Sequence, residues 1–587
     1  MNKTLSKIAS LVLLAALSSS MFTGCAQKDA AADTTAAAAE TTTAGAATTA
    51  ETTGAAKDPI TLSIYAAQTF PGQFTSGVQD DPVSQAITAK TGVSLDWDME
   101  PTTDKTNVIV ASGDLPDILV LNDIKHFEAL VKAGEVIDLG ALVDSNGADI
   151  KNVAAKALDF SKTNFSAGTN NLYFIPGRVT VGDSSNILYS PVIGYFMRWD
   201  YYKEIGSPVL ETADDIVNAL SAMQKAHPET ADGKPTYGFS MWQDWGKWHY
   251  TVLSEVVNSI GGVSGAATLN FVDYANDYTF VDGLNDAKSP LWVDGELYNK
   301  AYRAGLIDPD SFTQGYAQAS AKMDAGQVLC QVAQWLTDAP NAALATSVGP
   351  EAGYVSIPVK GANYNAANYN PVGLAEYWGI SADCKDPARA MDVINYMYTE
   401  EGSRNTLVGA YGDTWTIDDS GKAVLTEKGI SLKDDPNYMI TSGARKFQNI
   451  SGIDASSGDS KGQFIDLFND PDVLKETLTP LKSTWLSAYG AVSENEFWHN
   501  NGGIAINKTF EQAVPVAPED IARLDAKILS YLQENLANLV MAESDEAFAA
   551  VKQQIIDEIS SMDGYQAYVD WAKAAVETGK AGVANYK

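Results

Sequence analysis

The run Ile118-Leu119-Val120-Leu121 places four apolar residues in a row and decides the fold class of this 587-residue chain. A continuous apolar strand is typical of a parallel sheet covered on both faces. Alternating segments at residues 60–65 and 93–97 precede it as further strands, and helical patterns lie between the strands at 82–91 and 106–111. The alternation of strands with helices predicts an α/β fold.

The amino terminus has the pattern of an export signal. Residues 11–25 form an apolar run that follows two lysines and is too short to span a bilayer comfortably. Its end, Phe22-Thr23-Gly24-Cys25, resembles the lipobox of bacterial lipoproteins. We therefore expect residues 1–24 to be a cleaved signal peptide and Cys25 to carry a lipid that anchors the protein on the extracellular face of the cell membrane. A plain secreted protein and an uncleaved anchor are the alternatives.

A tract of small residues follows the cysteine. Residues 26–58 contain no aromatic residue and no large aliphatic residue, so they cannot bury enough surface to offset the entropy of ordering. We expect residues 25–58 to be a lipidated, disordered linker.

Composition limits the classes of partner. The formal net charge of −34 repels nucleic acid and anionic lipid headgroups, so we expect no nucleic-acid partner and membrane contact through the lipid alone. The length, with 12 Trp and 26 Tyr, supports a large core and more than one folding lobe.

The sequence contains no recognisable catalytic or cofactor motif. Its four histidines have no metal-ligand spacing, and nucleotide and serine-hydrolase signatures are missing. We therefore predict no catalytic residue, no metal and no cofactor. Cys330 and Cys384 lie in different sequence environments, and the sequence does not decide whether they form a disulfide.

Several segments carry a family resemblance. The heptapeptide Ser112-Gly113-Asp114-Leu115-Pro116-Asp117-Ile118 resembles the S-G-x-x-P-D-[IV] signature of extracellular solute-binding proteins that deliver sugars to ABC importers. Further segments similar to that family follow in the family's order, at residues 134–139, 172–176, 195–206, 211–215, 301–310 and 386–402. The resemblance spans roughly residues 60–420, and the helical pattern of 517–579 is similar to that of the large lipoprotein subgroup.

The resemblance implies a two-lobed fold of the type II periplasmic-binding-protein class, with a hinge, crossovers and an extended helical carboxy-terminal section. We expect lobe 1 to comprise residues 59–185 and 376–415, and lobe 2 to comprise 186–375 and 416–587. In subgroup members that bind calcium, an acidic loop holds the ion. Here the corresponding loop, Ala231-Asp232-Gly233-Lys234-Pro235-Thr236, has one carboxylate and a lysine, so we predict that the calcium site is absent.

A sugar site needs flat aromatic platforms beside hydrogen-bonding groups. Trp242, Trp245 and Trp248 follow a strand pattern at 237–240 with polar residues between them, and strand exits are where α/β clefts bind ligands. We predict that these tryptophans line the cleft. The alternative is a helix face packed into the core, because the three-residue spacing is also helical.

The resemblance adds further ligand-binding candidates. Trp335 stands where maltodextrin-type binding proteins place a stacking aromatic. Glu376, Tyr377 and Trp378 belong to a segment similar to the one that recrosses the hinge, and Trp415 lies at a third crossing. Packing within the hinge is the alternative for Trp378.

The remaining candidates come from the residues themselves. Arg198 and Asp200 either bond a ligand near the cleft mouth or form a structural ion pair, and Gln68, after the first strand, is a candidate donor from lobe 1.

These observations favour a receptor that captures a carbohydrate, in particular an oligosaccharide, between two lobes and presents it to ABC permease subunits. We expect a monomer that makes and breaks no bond, so no enzyme. A surface glycoside hydrolase or lyase, and a peptide receptor of similar architecture, are the alternatives.

Overall fold

The computed structural model describes residues 58–67, 74–182, 188, 190–374, 376–432, 435, 437–476 and 478–586. The expected signal peptide, Cys25 and almost all of the linker lie outside these residues, as does Gln68. Within the described part of the chain, no helix has the length and apolar character needed to cross a membrane.

The strands are short and fall into several sheets. They are β1 (Ile60–Ala66), β2 (Gly77–Val78), β3 (Val93–Asp98), β4 (Ile118–Leu121), β5 (Ile175–Pro176), β6 (Ile193–Arg198), β7 (Ile260–Gly262), β8 (Asn270–Asp273), β9 (Thr279–Asp282), β10 (Cys330–Ala333), β11 (Tyr354–Ser356), β12 (Tyr364–Tyr369), β13 (Tyr377–Ile380), β14 (Trp415–Ile417), β15 (Ala423–Leu425) and β16 (Gly503–Asn507).

Helices connect and cover these strands. They are α1 (Pro82–Thr91), α2 (Thr103–Ser112), α3 (Phe127–Ala133), α4 (Gly140–Asn146), α5 (Ala148–Asn164), α6 (Trp199–Glu204), α7 (Ala213–Ala226), α8 (Val252–Val257), α9 (Pro290–Arg303), α10 (Tyr316–Asp324), α11 (Asp338–Ser347), α12 (Pro387–Met397), α13 (Glu400–Val408), α14 (Glu427–Ser431), α15 (Tyr438–Ser442), α16 (Pro471–Glu476), α17 (Pro480–Ala488), α18 (Glu494–Asn500), α19 (Thr509–Ala513), α20 (Glu519–Val540), α21 (Asp545–Ser560) and α22 (Tyr565–Asn585).

The first sheet has the strand order β2-β3-β1-β4-β13-β5, and β3, β1 and β4 run parallel. Its faces are both covered: Ile118 and Val120 of β4 pack into one apolar cluster, and Leu119 and Leu121 into another. The prediction of a buried parallel strand at 118–121 is confirmed.

Local sequence signals set the helix boundaries around this sheet. Helix α1 has the predicted bounds. The Asp81 carboxylate accepts the Ser84 N–H at its start, and Gly92, at its end, takes the left-handed backbone conformation that favours glycine. Thr212 and Asp215 form a capping box at α7, which confirms the predicted helix start there.

Strand β13 joins distant parts of the chain. It lies between β4 and β5 and is antiparallel to both, with Tyr377 beside Leu121 and Pro176. The chain leaves the first sheet after β5, builds the second sheet, and returns at β13. Crossing segments between the two sheets are therefore a consequence of the strand order.

The second sheet has the order β10-β6-β11, with β6 antiparallel to both neighbours. Tyr237 and Phe239 extend it through parallel bridges to Val328 and Ile307. The largest apolar cluster surrounds this sheet and includes Ile528, Leu532 and Leu536 of α20, so the carboxy-terminal helices belong to the second core.

The chain returns to the first core near residue 446. Phe447 stacks on Trp97 of β3 with a centroid distance of 4.7 Å, and the Lys446 ammonium lies 2.9 Å from the Asp81 carboxylate. The sequence analysis predicts that residues 416–587 belong to lobe 2. The lobe boundaries stay a prediction, and this packing favours assigning the segment around Lys446 to lobe 1.

We expect Asp81→Ala to lower the free energy of unfolding by about 3 kcal/mol, since it removes a helix cap and leaves the buried Lys446 ammonium unpaired. Urea unfolding of the purified protein measures this. Asp104→Ala, at an exposed position in the first turn of α2, is the control and should cost less than about 0.5 kcal/mol. Equal losses of stability in the two variants would contradict the stabilising role given to the Asp81 cap and its ion pair with Lys446.

Candidate functional site

The carboxyl ends of the parallel strands in the first sheet meet at one edge and line a cavity of about 670 Å³, here called cavity B. Ala67 follows β1, Thr103 and Thr106 follow β3, and residues 122–126 follow β4. Open α/β sheets bind ligands at this edge. The rest of the lining includes Gly262, Ser264, Glu511 and Gln512, whose neighbours Val263 and Phe510 belong to a separate apolar cluster.

Tyr377 lies between the two walls of cavity B. Its side chain is almost fully buried, and its hydroxyl donates a hydrogen bond to the Gln512 Oε1 atom. Burial raises the pKa of the Tyr377 hydroxyl, so it stays protonated. The residue thus links the first sheet to α19 at the boundary of the cavity.

The second sheet presents an edge of its own. The segment at Tyr237 and strand β10 run parallel, so the residues that follow them emerge at the same edge. The Gln334 N–H donates to the Val192 carbonyl at 2.8 Å, so this edge is also where the chain enters β6. Both aromatic segments predicted for the site, Trp242–Trp248 and Trp335, therefore lie at one edge.

The segment after residue 240 is a loop and not a continuous helix; it ends in a short 3₁₀ turn over Trp248–Tyr250. Trp242 is fully buried, stacks on Trp248 at 5.3 Å and meets the edge of Trp245 at 5.1 Å. The expectation that Trp242 lines the cleft is therefore corrected. Its buried indole packs against the rings of Trp245 and Trp248.

Two indoles of this cluster face solvent. Trp245 is 40% exposed and stacks on Tyr316 at 4.7 Å, and Trp335 is 42% exposed and lies 6.1 Å from the half-buried Trp248. A large apolar ring that stays exposed while its neighbours hold it rigidly is suited to stack on the C–H face of a sugar. Tyr316 is a further member of this ring cluster that the sequence reasoning missed.

His249 sits beneath these rings. It is buried and packs edge-on against Trp242 at 3.8 Å, and burial lowers its pKa to about 3. The imidazole is neutral, so it adds no charge to the aromatic cluster.

A second cavity, here called cavity A, has a volume of about 510 Å³ and is lined by the second sheet and by segments far from it in sequence. The second sheet contributes Phe196, Tyr354 and Ser356, and α11 contributes Asp338 and Asn341. Arg445, Phe464 and Asn469 form the opposite wall, and Lys482, Trp485 and Glu494 complete it. Gln334, the neighbour of Trp335, lines this cavity too.

Two predicted residues at the recrossing are buried. Trp378 is fully buried between β4 and β5, which is the hinge-packing alternative, so its indole does not reach the surface here. The Glu376 carboxylate is also buried, 3.5 Å from the Arg178 guanidinium, and burial raises its pKa. Arg178 lies 3.7 Å from Asp454 as well, so this cation serves two acids.

Trp415 is likewise in the interior. Its indole N–H donates to the Asn405 Oδ1 atom at 3.0 Å and the Gly409 carbonyl at 2.9 Å, and the Arg404 guanidinium lies over the ring at 4.9 Å. The structure therefore corrects its expected role at the ligand. Tyr411, half exposed and packed edge-on against Trp415, is the aromatic residue of that segment that a ligand can reach.

Arg198 and Asp200 form a bidentate ion pair, with the Nε–Oδ1 distance 2.9 Å and the Nη2–Oδ2 distance 2.6 Å. Arg198 is buried at the end of β6, and Val192 and Gln334 lie at the opposite end of that strand. This placement corrects the expectation of a position near the cleft mouth and supports the structural ion pair.

The loop expected to lack calcium is closed by its own residues. The Asp232 carboxylate accepts from the Thr230 hydroxyl at 2.5 Å and pairs with the Lys234 ammonium at 3.0 Å. Among the residues that the structure describes, no cluster of three acidic, His or Cys side chains could hold a metal. Cys330 and Cys384 are both free thiols here.

Comparison with known proteins identifies the family. The model of the bacterial extracellular solute-binding protein family matches residues 80–404, more than half of the chain. The chain belongs to this family.

Similar proteins of known ligand extend this result. The substrate-binding protein FusA of a fructooligosaccharide ABC transporter from Streptococcus pneumoniae is 23% identical over 251 residues, which cover 41% of this chain and 44% of that relative. This solute-binding protein thus matches less than half the length of that relative.

Solved structures match over nearly their whole length. The alginate-binding protein AlgQ2 has 17% identity and a TM-score of 0.57, and an HMO-binding, ABC-transporter-associated protein from Bifidobacterium longum infantis has 16% and 0.58. Each comparison covers 89% of this chain and 99% of the other. These likenesses confirm the type II solute-binding-protein fold.

A buried acid supports the aromatic loop. Helix α8 begins directly after that loop, and Asp294 of α9 accepts the Ser254 backbone N–H at 3.1 Å and its hydroxyl. Burial raises the pKa of Asp294 to about 7. The folded state therefore binds a proton more tightly than the unfolded state, and between about pH 4 and pH 7 stability falls as pH rises.

We compare Asp294→Asn with the wild type at two pH values. We expect the change in the free energy of unfolding caused by the substitution to be more favourable at pH 8 than at pH 4 by about 3 kcal/mol, because the amide avoids ionisation of a buried group. Denaturant unfolding at pH 4, 6 and 8 measures the difference. A difference that does not change with pH would show that Asp294 ionises freely in the folded protein.

Proposed function

We propose that this protein is an extracellular substrate-binding protein that captures a carbohydrate, in particular an oligosaccharide, between two lobes and delivers it to an ABC-type permease. The observation that carries the proposal is the pair of exposed indoles, Trp245 and Trp335, which lie beside other aromatic rings at the edge of the second sheet. Membership of the solute-binding family and the sugar-related names of its relatives support it.

The ligand would bind between the lobes centred on the first and second sheets. Cavity A is lined by the second sheet and by Arg445, whose neighbour Phe447 packs in the first core, and cavity B joins the first sheet to segments beside a separate cluster, so a ligand in either would bridge distant parts of the chain. Contacts to both sides favour a closed arrangement of the lobes, and affinity then arises from a shift in population.

The same proposal makes the protein a binding protein and not an enzyme. Its family and its relative FusA are binding proteins, and a receptor that must release its sugar unchanged to a permease has no use for hydrolysis. Lipid attachment at Cys25 would keep the receptor beside its permease and raise the local concentration of each for the other. We propose that it acts there as a monomer.

A panel of neutral gluco-, manno-, galacto- and fructo-oligosaccharides, followed by tryptophan fluorescence and by chromatography of the sugars, tests the function. The proposal expects saturable binding of at least one sugar, which is recovered intact. Cleavage of the bound sugar, or binding of peptides with no binding of sugars, would contradict it.

We expect Trp335→Ala and Trp245→Ala each to weaken binding of that sugar about tenfold, or about 1.4 kcal/mol, since each removes a stacking surface. Titration calorimetry measures the affinity. Tyr302→Ala is the control, because Tyr302 is an exposed aromatic residue on α9 whose ring packs against Phe312, outside the tryptophan cluster. If both indole variants bind like the wild type while remaining folded, the platform is assigned wrongly.

A further inference from the structure

The charged residues that line the two cavities are largely paired with residues of the opposite charge. A ligand with a carboxylate on each sugar ring needs cations that are free to meet it, because a carboxylate taken out of water without a partner costs several kcal/mol. The state of each lining cation therefore bears on the class of sugar that the cleft accepts.

In cavity A, two of the lining cations are held by buried acids. The Arg445 guanidinium lies 2.6 Å from the carboxylate of the fully buried Asp466, and the Lys482 ammonium lies 2.5 Å from that of Glu494, which is also largely buried. Turning either cation toward a ligand would leave a buried acid unpaired, which is costly.

The other charges of cavity A give little help to an anion. Asp338 lines the same cavity as an exposed acid, so its charge would repel a carboxylate placed there. Lys475 is exposed at the rim, where water screens its charge and an ion pair is worth little.

Cavity B has even less positive charge. Its lining lysine, Lys125, lies 2.5 Å from the Asp123 carboxylate, and Glu511 adds a further acid that pairs with Lys508. Burial lowers the pKa of His126, so its imidazole is neutral at neutral pH. The rest of the lining offers uncharged groups such as Thr106, Asn122, Ser264 and Gln512, which suit hydroxyl groups.

We propose that the ligand of this cleft is an uncharged oligosaccharide, and that the pairing of Lys482 with Glu494 and of Arg445 with Asp466 excludes uronate-containing sugars. This inference rests on the proposed function and deepens it. It separates the chain from the alginate-binding protein whose fold it shares.

The test uses a matched pair of ligands on the wild-type protein. The neutral sugar that binds in the panel is compared with its own derivative in which primary hydroxyl groups have been oxidised to carboxylates. We expect the oxidised sugar to bind at least tenfold more weakly by titration calorimetry. Equal or tighter binding of the oxidised sugar would overturn the inference and leave the proposed function standing, whereas binding of no sugar would overturn both.

A charge variant tests the cause. In Glu494→Gln the Lys482 ammonium loses its ion-pair partner and keeps only the longer-range attraction of Asp338, so we expect the discrimination against the oxidised sugar to fall severalfold. Glu534→Gln changes the net charge equally at an exposed position of α20 that lines neither cavity, and should discriminate like the wild type. If Glu494→Gln folds and discriminates as strongly as Glu534→Gln, the ion pair is not the cause.

Discussion

The architecture depends on the place of β13, which is hydrogen-bonded between β4 and β5 although the whole second sheet lies between β5 and β13 in sequence. A chain that must return to complete its first sheet has to cross between the cores at least twice. Cavity B lies at the carboxyl edge of the parallel strands, beside Tyr377 of the returning strand. The burial of Tyr377 and Trp378 at this return is a structural requirement of the strand order.

The second core uses aromatic residues in two ways. Trp242 and His249 are buried and fix the loop after Phe239, while Trp245 and Trp335 remain exposed on that support. Ring-on-ring packing restricts the motion of the exposed indoles, so little entropy is lost when a ligand stacks on them. The proposed selectivity for uncharged sugars adds a limit on the charge of the ligand, because most cations that line the cavities already form ion pairs with acids of the protein.

Much of the fold follows from local sequence patterns. The four apolar residues of β4, the capped helix α1 and the capping box at Thr212 are each set by short-range chemistry and are as predicted. The same patterns could not separate Trp242 from Trp245, because burial depends on which way a loop turns after its strand. Trp415 of β14 is similar. Its indole is buried by Arg404 and Asn405 of α13, and the local strand pattern does not show how the strand packs against that helix.

Contacts between segments far apart in sequence are the second limit on what the sequence predicts. The packing of Phe447 on Trp97 and the wall that Arg445 and Phe464 give to cavity A join segments far apart in sequence, and no local signal marks them. The residues that follow β4, by contrast, were within reach of sequence reasoning: the rule that ligands bind at the carboxyl ends of parallel strands points to Asn122 and His126.

The central claim is that a sugar is bound between two lobes that close on it without chemistry. Small-angle X-ray scattering of the protein, with and without a saturating amount of the sugar that binds, tests this most directly. The account predicts a smaller radius of gyration in the complex and full recovery of the intact sugar. Binding with an unchanged radius of gyration, or with cleavage of the sugar, would contradict it.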